Sequence, residues 1–289
     1  MLVYLNGRFQ PREKAFVSVD DRGFVFGDGV YEVIRVVDGR LFTSSEHLAR
    51  MEEGLHTIGI DRPADMTPAR IVEIAERLLG ENDLLDGHAT VYLQITRGAA
   101  VRTHFFPTTP VRPTIFISTA RFSPAPDLLE TGASAVTCPD VRWSRCNLKT
   151  LNLLANVLAK QSAVDKGAVE AIFVRDGVVT EGSSTNVFVA VDGQLHTFPI
   201  CNYILAGITR GVVLELAGEL GIQVHETPAR AEDLVRADEI FLTGTTTDVL
   251  PIVEIDGRPV GSGTPGPLAL ALGRALAERM SPSPANAGL

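Results

Sequence analysis

Asn6-Gly7, Asp38-Gly39, Asp176-Gly177 and Asp192-Gly193 each stand between runs of apolar and β-branched residues. A two-residue hairpin loop needs positive φ at its centre, which Gly adopts freely and Asn or Asp tolerate. Such pairs in both halves commit much of the chain to antiparallel sheet. Helical signals occupy the intervals. Ser44 or Ser45 can cap a helix to about Ile58, with Leu48, Met51, Leu55 and Ile58 on one face. Thr67-Pro68 opens a second helix. Thr150 can cap a third over 151–166, with Leu151, Leu154, Ala155, Leu158 and Ser162 as its inner face and Gly167 closing it. A fourth runs from Thr209 to Gly221, and a last one covers 266–280. The expected fold class is mixed α/β (α+β).

At 289 residues the chain is long enough for two domains. The proline-rich stretch ARFSPAPDLLETG divides it. The expected organisation is a small N-terminal α/β domain over 1–119, a linker over 120–132, a larger domain over 133–280 and a flexible tail over 281–289. The net charge of −9 argues against general nucleic-acid binding. Cys138, Cys146 and Cys201 form no CxxC pair and do not cluster with His, so no metal site is expected. The N-terminus lacks a signal-peptide pattern, and no apolar run approaches the ~20 residues a membrane span needs. These features lead to the expectation of a soluble, cytoplasmic protein.

The chemistry concentrates between residues 142 and 186. RWSRCNLKTLNLLANVLAK carries Lys149 ahead of the third helix, and TEGSSTNVF carries Glu181 at a strand end among small hydroxyl residues. A lysine on a rigid element can hold an aldehyde cofactor as an imine. A carboxylate can keep that cofactor's ring nitrogen protonated. Pyridoxal phosphate also needs amides, hydroxyls and a cation for its phosphate, and a trap for the substrate carboxylate. The helix start after Gly207 and the loop Gly244-Thr245-Thr246-Thr247 suit a phosphate. Arg97, Arg102 and His104 share one loop and together suit a carboxylate. Taken one at a time, each has the bland reading of a surface charge, and Arg50, beside an apolar helical stripe, reads as a solvated edge. Other chemistries fit less well. The glycines around Asp28 lack the third glycine of GxGxxG and precede a strand; GxSxG and GxxxxGK[ST] are absent.

Together, DRGFVFGDGVYEVIRV, EHLARM, QITRGAAVRTHFFP, RWSRCNLKTLNLLANVLAKQ, EAIFVRDGVVTEGSSTNVF, ILAGITRGVV and EIFLTGTTTDVLPIVEIDG resemble the fold-type IV pyridoxal-phosphate transaminases, and within them the bacterial D-amino-acid aminotransferases. The likeness spans about Tyr4 to Arg279, and the RxH of VRTHF points to the D-amino-acid branch. It implies a two-domain fold-type IV enzyme that uses pyridoxal 5'-phosphate to move an amino group between a D-amino acid, such as D-alanine or D-glutamate, and a 2-oxo acid. The resemblance assigns Lys149 to the covalent bond with the cofactor, Glu181 to the pyridine nitrogen, and Arg50, Ile208, Thr209 and Thr245 to the phosphate. It places Leu205 on the ring face and Ser184 in the surrounding hydrogen-bond network. Tyr31, Arg102 and His104 would trap the substrate carboxylate, Arg102 and His104 reaching in from a second copy, which implies a homodimer. Gly244 stands where a relative has serine, so one phosphate hydroxyl is missing. Three rivals remain: a branched-chain L-amino-acid aminotransferase on the same fold, a 4-amino-4-deoxychorismate lyase, and a non-catalytic relative, which the intact Lys149–Glu181 pair argues against.

Overall fold

The computed structural model describes residues 1–281; past Ser281 the expected tail lies outside the described residues. The chain forms two compact units. One is Met1–Ser123 with Leu148–Asn152, and the other is Pro124–Asn147 with the described chain from Leu153 onward.

In the first unit, β1 (Leu2–Leu5), β2 (Arg8–Pro11), β3 (Gly29–Val37), β4 (Arg40–Leu41), β5 (His88–Thr96) and β6 (Thr114–Arg121) make a six-stranded antiparallel sheet in the order β2-β1-β6-β5-β3-β4. The short helix α1 (Arg22–Phe26) precedes β3, while α2 (Ser44–Thr57) and α3 (Pro68–Glu81) lie between β4 and β5. Strand alternation sends Ile34, Val36, Val91, Leu93, Ile95 and Ile117 into one core. Leu48, Met51 and Leu55 of α2 meet them there, with Ile71, Ile74, Leu78 and Leu79 of α3. The glycines around Asp28 form a cap and turn, as the non-dinucleotide reading required. Asp21 accepts a hydrogen bond from the Gly23 amide at 2.8 Å, and Gly27 ends α1 in the left-handed region.

The second unit contains α4 (Pro126–Thr131), β7 (Ala133–Pro139), α5 (Leu154–Asp165), β8 (Glu170–Arg175), β9 (Val178–Gly182), β10 (Asn186–Val191), β11 (Gln194–Thr197), α6 (Ile208–Glu219), β12 (Val224–His225), β13 (Glu239–Gly244), β14 (Asp248–Ile255), β15 (Arg258–Pro259) and α7 (Pro267–Met280). Its sheet runs β12-β11-β10-β13-β14-β7-β8-β9, with β15 on β14. An extra pairing of Asn186 with Glu181 joins β10 to β9 and closes the path from β10 round to β9 into a ring. β7 pairs in parallel with both β8 and β14. Parallel neighbours need a crossover, and α5 supplies it between β7 and β8.

The expected hairpins are present. Asn6, Asp38, Asp176 and Asp192 have φ of 49°, 46°, 51° and 50°, each followed by a positive-φ glycine. The third helix differs from the expectation. It starts at Leu154, because Thr150 pairs with Val30 and the Leu151 amide donates to the Gly29 carbonyl at 3.1 Å. Its inner face differs too. Ala159 and Ala163 pack against Val136, Ala171 and Phe173, while Leu154 and Leu158 are 72% and 62% exposed. Small side chains let the helix sit close to the sheet, and the leucines are left on its outer surface.

Candidate active site

Residues 148–152 run beside β3, joined to it by a single antiparallel bridge between Thr150 and Val30. The Tyr31 amide donates to the Lys149 carbonyl at 3.1 Å, and the Leu151 amide closes the next bond on Gly29. Lys149 is therefore anchored through its own carbonyl and through the amide two residues further on. Its Nζ donates to the Tyr31 hydroxyl at 3.4 Å and lies 4.4 Å from the centroid of that ring. Tyr31 stacks in turn on Tyr92, with centroids 5.8 Å apart.

One residue along β3 from Tyr31, alternation turns Glu32 to the opposite face, where it is fully buried. Its carboxylate accepts from Arg50 Nε and Nη2 at 2.7 and 2.8 Å, and from His47 Nδ1 at 2.7 Å. Burial alone would raise its pKa, but the His47 and Arg50 bonds outweigh it and hold the carboxyl down at about 2. Burial lowers the pKa of His47. A neutral imidazole carrying its proton on Nδ1 donates to Glu32 without adding charge. Arg50 is thus aimed by a buried pair, beyond the solvated-edge reading of its sequence pattern. Glu32 and His47 carried no signal of their own in the sequence.

The loop after β5 is the proposed carboxylate trap. Arg102 and His104 are both exposed and gather on Phe26, the Arg102 guanidinium 5.1 Å from its centroid and the His104 ring edge-on at 5.9 Å. Arg97 does not join them. It binds Asp28 through Nε and Nη2 at 2.8 and 3.0 Å, and the Gly59 and Ile58 carbonyls at 2.6 and 2.7 Å. Its donors are spent on structure, which corrects the three-residue anion pocket. Arg22 shares Asp28 at 2.8 Å and donates to the Thr103 carbonyl at 2.8 Å, which pins the loop backbone between Arg102 and His104. Burial would raise the Asp28 carboxyl, but Arg97 and Arg22 hold it below the usual range.

In the second unit, Glu181 is the penultimate residue of β9, at the seam where the ring closes. Its Oε2 accepts from the Leu205 amide at 2.9 Å and Asn186 Nδ2 at 3.3 Å, and its Oε1 accepts a short bond from Arg142 Nη1. Burial pushes its pKa up to about 7, with Arg142 pulling it back down. One lone pair of Oε1 is left for a further donor. Asn186 also donates to the Leu205 carbonyl at 2.9 Å. A Cβ on Gly207 would come 2.0 Å from Asn186 Oδ1, so only glycine fits there.

Gly207 opens α6 with no side-chain cap, leaving the Ile208 and Thr209 amides outside the helical ladder. Such a helix start accepts an anion. Thr245 sits half-buried in the tight turn after β13, where the Thr247 amide donates to the Gly244 carbonyl at 3.1 Å. Ser184 donates to Glu170 Oε2 at 3.2 Å. Ser183 and Thr185 bond the same buried carboxylate, so Glu170 organises the whole hydroxyl loop. Arg142, Asp140 and Glu170 are buried neighbours of the candidate site residues that sequence reasoning missed. Arg142 and Glu170 open the RWSRCNLK and EAIFVRD motifs, and Asp140 stands two residues ahead of the first, outside both.

Each unit offers chemistry that fits pyridoxal phosphate. One has an anchored lysine and an aimed arginine; the other has a buried carboxyl with a free lone pair, an uncapped helix start and a hydroxyl turn. The model for "Amino-transferase class IV" matches residues 29–255. The chain belongs to the class IV aminotransferases. By that membership it is an enzyme, a transaminase. It is 46% identical over 264 residues to the D-alanine aminotransferase of Staphylococcus epidermidis, covering 91% of this chain and 92% of that one. It is 44% identical over 268 residues to that of Bacillus licheniformis, covering 93% of each. Among solved structures, the Escherichia coli branched-chain amino acid aminotransferase matches with a TM-score of 0.87 at 26% identity, covering 96% of this chain and 93% of that one. A T.th. branched-chain amino acid aminotransferase with pyridoxamine 5'-phosphate matches with a TM-score of 0.86 at 29% identity, covering 96% and 93%. The class IV fold expected from the motifs is therefore the fold of this aminotransferase. Among the described residues no helix is long and apolar enough to cross a membrane.

Proposed function

We propose that this aminotransferase uses pyridoxal 5'-phosphate to move an amino group between a D-amino acid, with D-alanine the first candidate, and a 2-oxo acid. The observation that carries the reading is the 46% identity to a D-alanine aminotransferase over 91% of the chain. When bound, the cofactor supplies an electron sink for the pair released on loss of the substrate's α-proton. Lys149 would hold the resting cofactor covalently; once the substrate's amine has taken its place there, the freed Nζ would serve as the base for that proton. A single base on one face makes the transfer stereospecific. The Tyr31 hydroxyl, a hydrogen-bond acceptor for Lys149 Nζ, keeps that amine in place.

Glu181 would meet the ring nitrogen with the lone pair that Arg142 leaves on its carboxylate. A carboxyl that titrates at about 7 can hold a proton between its oxygen and a ring nitrogen across neutral pH. Arg50, the Ile208 and Thr209 amides and Thr245 would receive the phosphate, Leu205 would pack on the ring, and Ser184 would belong to the surrounding network. Gly244 removes one hydroxyl from the phosphate set. Tyr31, Arg102 and His104 take the substrate carboxylate.

The working form is a homodimer in which Arg102 and His104 serve the second copy's site. Their exposure supports this, as does the apolar surface around them at Val101, Phe105 and Phe106. Partners are otherwise small amino and oxo acids, and the site of action is the cytoplasm.

The test is visible absorbance of the purified protein with D-alanine and L-leucine in separate cuvettes. Loss of the yellow band with D-alanine alone is the expected result. Bleaching by L-leucine alone would move the enzyme to the branched-chain activity named for its structural neighbours. A yellow protein bleached by neither, yet releasing pyruvate from 4-amino-4-deoxychorismate, would make it the lyase.

A further inference from the structure

Behind Glu181 the second unit holds a row of alternating charges. Arg142 reaches Glu181 Oε1 with Nη1, and turns its Nε and Nη2 to Asp140 Oδ1 and Oδ2, both at 2.9 Å. Asp140 has no side-chain exposure, and Arg142 has 5%. Arg175 closes the row, its Nη2 3.1 Å from Asp140 Oδ1. The Arg142 guanidinium is further held over the Phe173 ring at 4.2 Å and donates to the Tyr203 carbonyl at 3.3 Å. The Thr180 hydroxyl donates to Asp140 at 3.2 Å. Each of the three guanidinium nitrogens of Arg142 is thus aimed, and only Nη1 is directed at Glu181.

Resting on the function proposed above, we infer that Arg142 is a positioning residue for transamination: clamped between Asp140 and Glu181, it sets both the direction and the charge of the carboxyl that meets the ring nitrogen, and Asp140 moderates its influence. Three groups face Glu181 electrostatically. Arg142 favours its anion, Asp140 opposes it, and the Cys146 thiol, itself pushed up to about 11 by burial, stays neutral beside it. Arg175 acts at one remove through Asp140. The arrangement keeps a deeply buried carboxyl near its ionisation point, where burial alone would keep it protonated. A buried hydrophobic residue in place of Arg142 would leave no counter-charge for the anion. A lysine would return the charge without the fork that binds both carboxylates at once.

The test reads Glu181 directly. The protonated-carboxyl infrared band of the full chain, with Glu181→Gln as the subtraction reference, is titrated with pH before and after addition of pyridoxal phosphate. Arg142→Met should move the midpoint of the cofactor-free chain up by about one pH unit or more, a tenfold change in proton affinity. Arg142→Lys should fall between Arg142→Met and wild type. Asp140→Asn should move it the other way. Cofactor affinity, read from visible absorbance, should weaken about tenfold in Arg142→Met and recover in part in Arg142→Lys. A merely structural role would weaken cofactor binding without moving the midpoint. If Arg142→Met does not fold, Asp140→Asn and Arg142→Lys still decide. Midpoints that stay at the wild-type value in a chain that binds pyridoxal phosphate overturn the inference alone. A wild-type chain that takes up no pyridoxal phosphate overturns the proposed function as well.

Discussion

Lys149 Nζ lies 3.4 Å from the Tyr31 hydroxyl, and the Lys149 carbonyl accepts the Tyr31 amide at 3.1 Å, so one β-strand residue holds both ends of the lysine. A nucleophilic amine is useful only where its position is determined, and here the backbone and the ring determine it together. Lys149→Ala should abolish turnover by several powers of ten, as expected on removing a covalent catalyst. The variant should also fail to retain pyridoxal phosphate covalently after borohydride reduction, read by mass spectrometry. Near-wild-type activity would remove Lys149 from its role.

Glu32 is buried with a pKa of about 2, well below its ordinary 4.5. A depressed carboxyl contributes stability above the unfolded value and loses it as pH falls through the folded one. Its share, about 3 kcal/mol, is therefore present at pH 5 and above and fades between about 4.5 and 2. Glu32→Gln should lower the melting temperature at pH 7 by an amount corresponding to about 3 kcal/mol, because Arg50 loses its buried counter-charge. The difference from wild type should shrink towards pH 2. Cofactor affinity should fall with it, since Arg50 is no longer aimed. An unchanged melting temperature would sink the account.

Glu181 has the opposite sign. Its folded pKa, about 7, lies above 4.5. The stability tied to its protonation is complete below pH 4.5 and is lost as pH rises through 7. In the cofactor-free chain, melting temperature should accordingly decline between pH 5 and 8. Glu181→Gln, which stays neutral, should flatten that decline, as calorimetry can show. The same variant should slow proton abstraction, because the ring nitrogen loses its acidic partner. A pH profile identical to wild type would count against the assignment.

Asp28 is the shared anchor of Arg22 and Arg97, and so of the loop that carries Arg102 and His104. Asp28→Asn should weaken both bonds and loosen the loop. The expected outcome is faster proteolysis between residues 98 and 113, with a KM for the amino donor raised about tenfold and a smaller change in kcat. Arg102→Ala should also raise KM but leave proteolysis unchanged. Equal proteolysis in Asp28→Asn and wild type would refute the anchoring role.

Leu154, Val157 and Leu158 give α5 an apolar outer surface that is more than half exposed in the single chain. If the protein works as a homodimer with this surface covered, Leu158→Lys should reduce its mass in light scattering towards one chain of 31.0 kDa. A wild-type protein already at that mass would remove the dimer from the proposal.

The hairpin turns, the proline-led helix start at Thr67-Pro68 and the core stripe of α2 were legible from local pattern alone. The start of α5 was not. Thr150 reads as a cap, yet β3 takes the Leu151 amide for its own ladder. Arg97 and Arg102 look alike in QITRGAAVRTHF. Asp28, far off in sequence, decides which of them is spent on structure. Arg50 likewise looks peripheral until Glu32 is placed beneath it.

What local sequence decides here is whatever depends on near neighbours: φ at Asn-Gly and Asp-Gly, helix caps, strand alternation, and the motif residues Lys149 and Glu181 themselves. The electrostatic state of those motif residues belongs to the tertiary structure. Glu32 and Glu181 are the same side chain. One is held at about 2 by two partners that outweigh its burial, and the other sits at about 7 because one arginine does not. Burial and charge pairing act between residues brought together from distant parts of the chain, and only the folded chain assembles those neighbours.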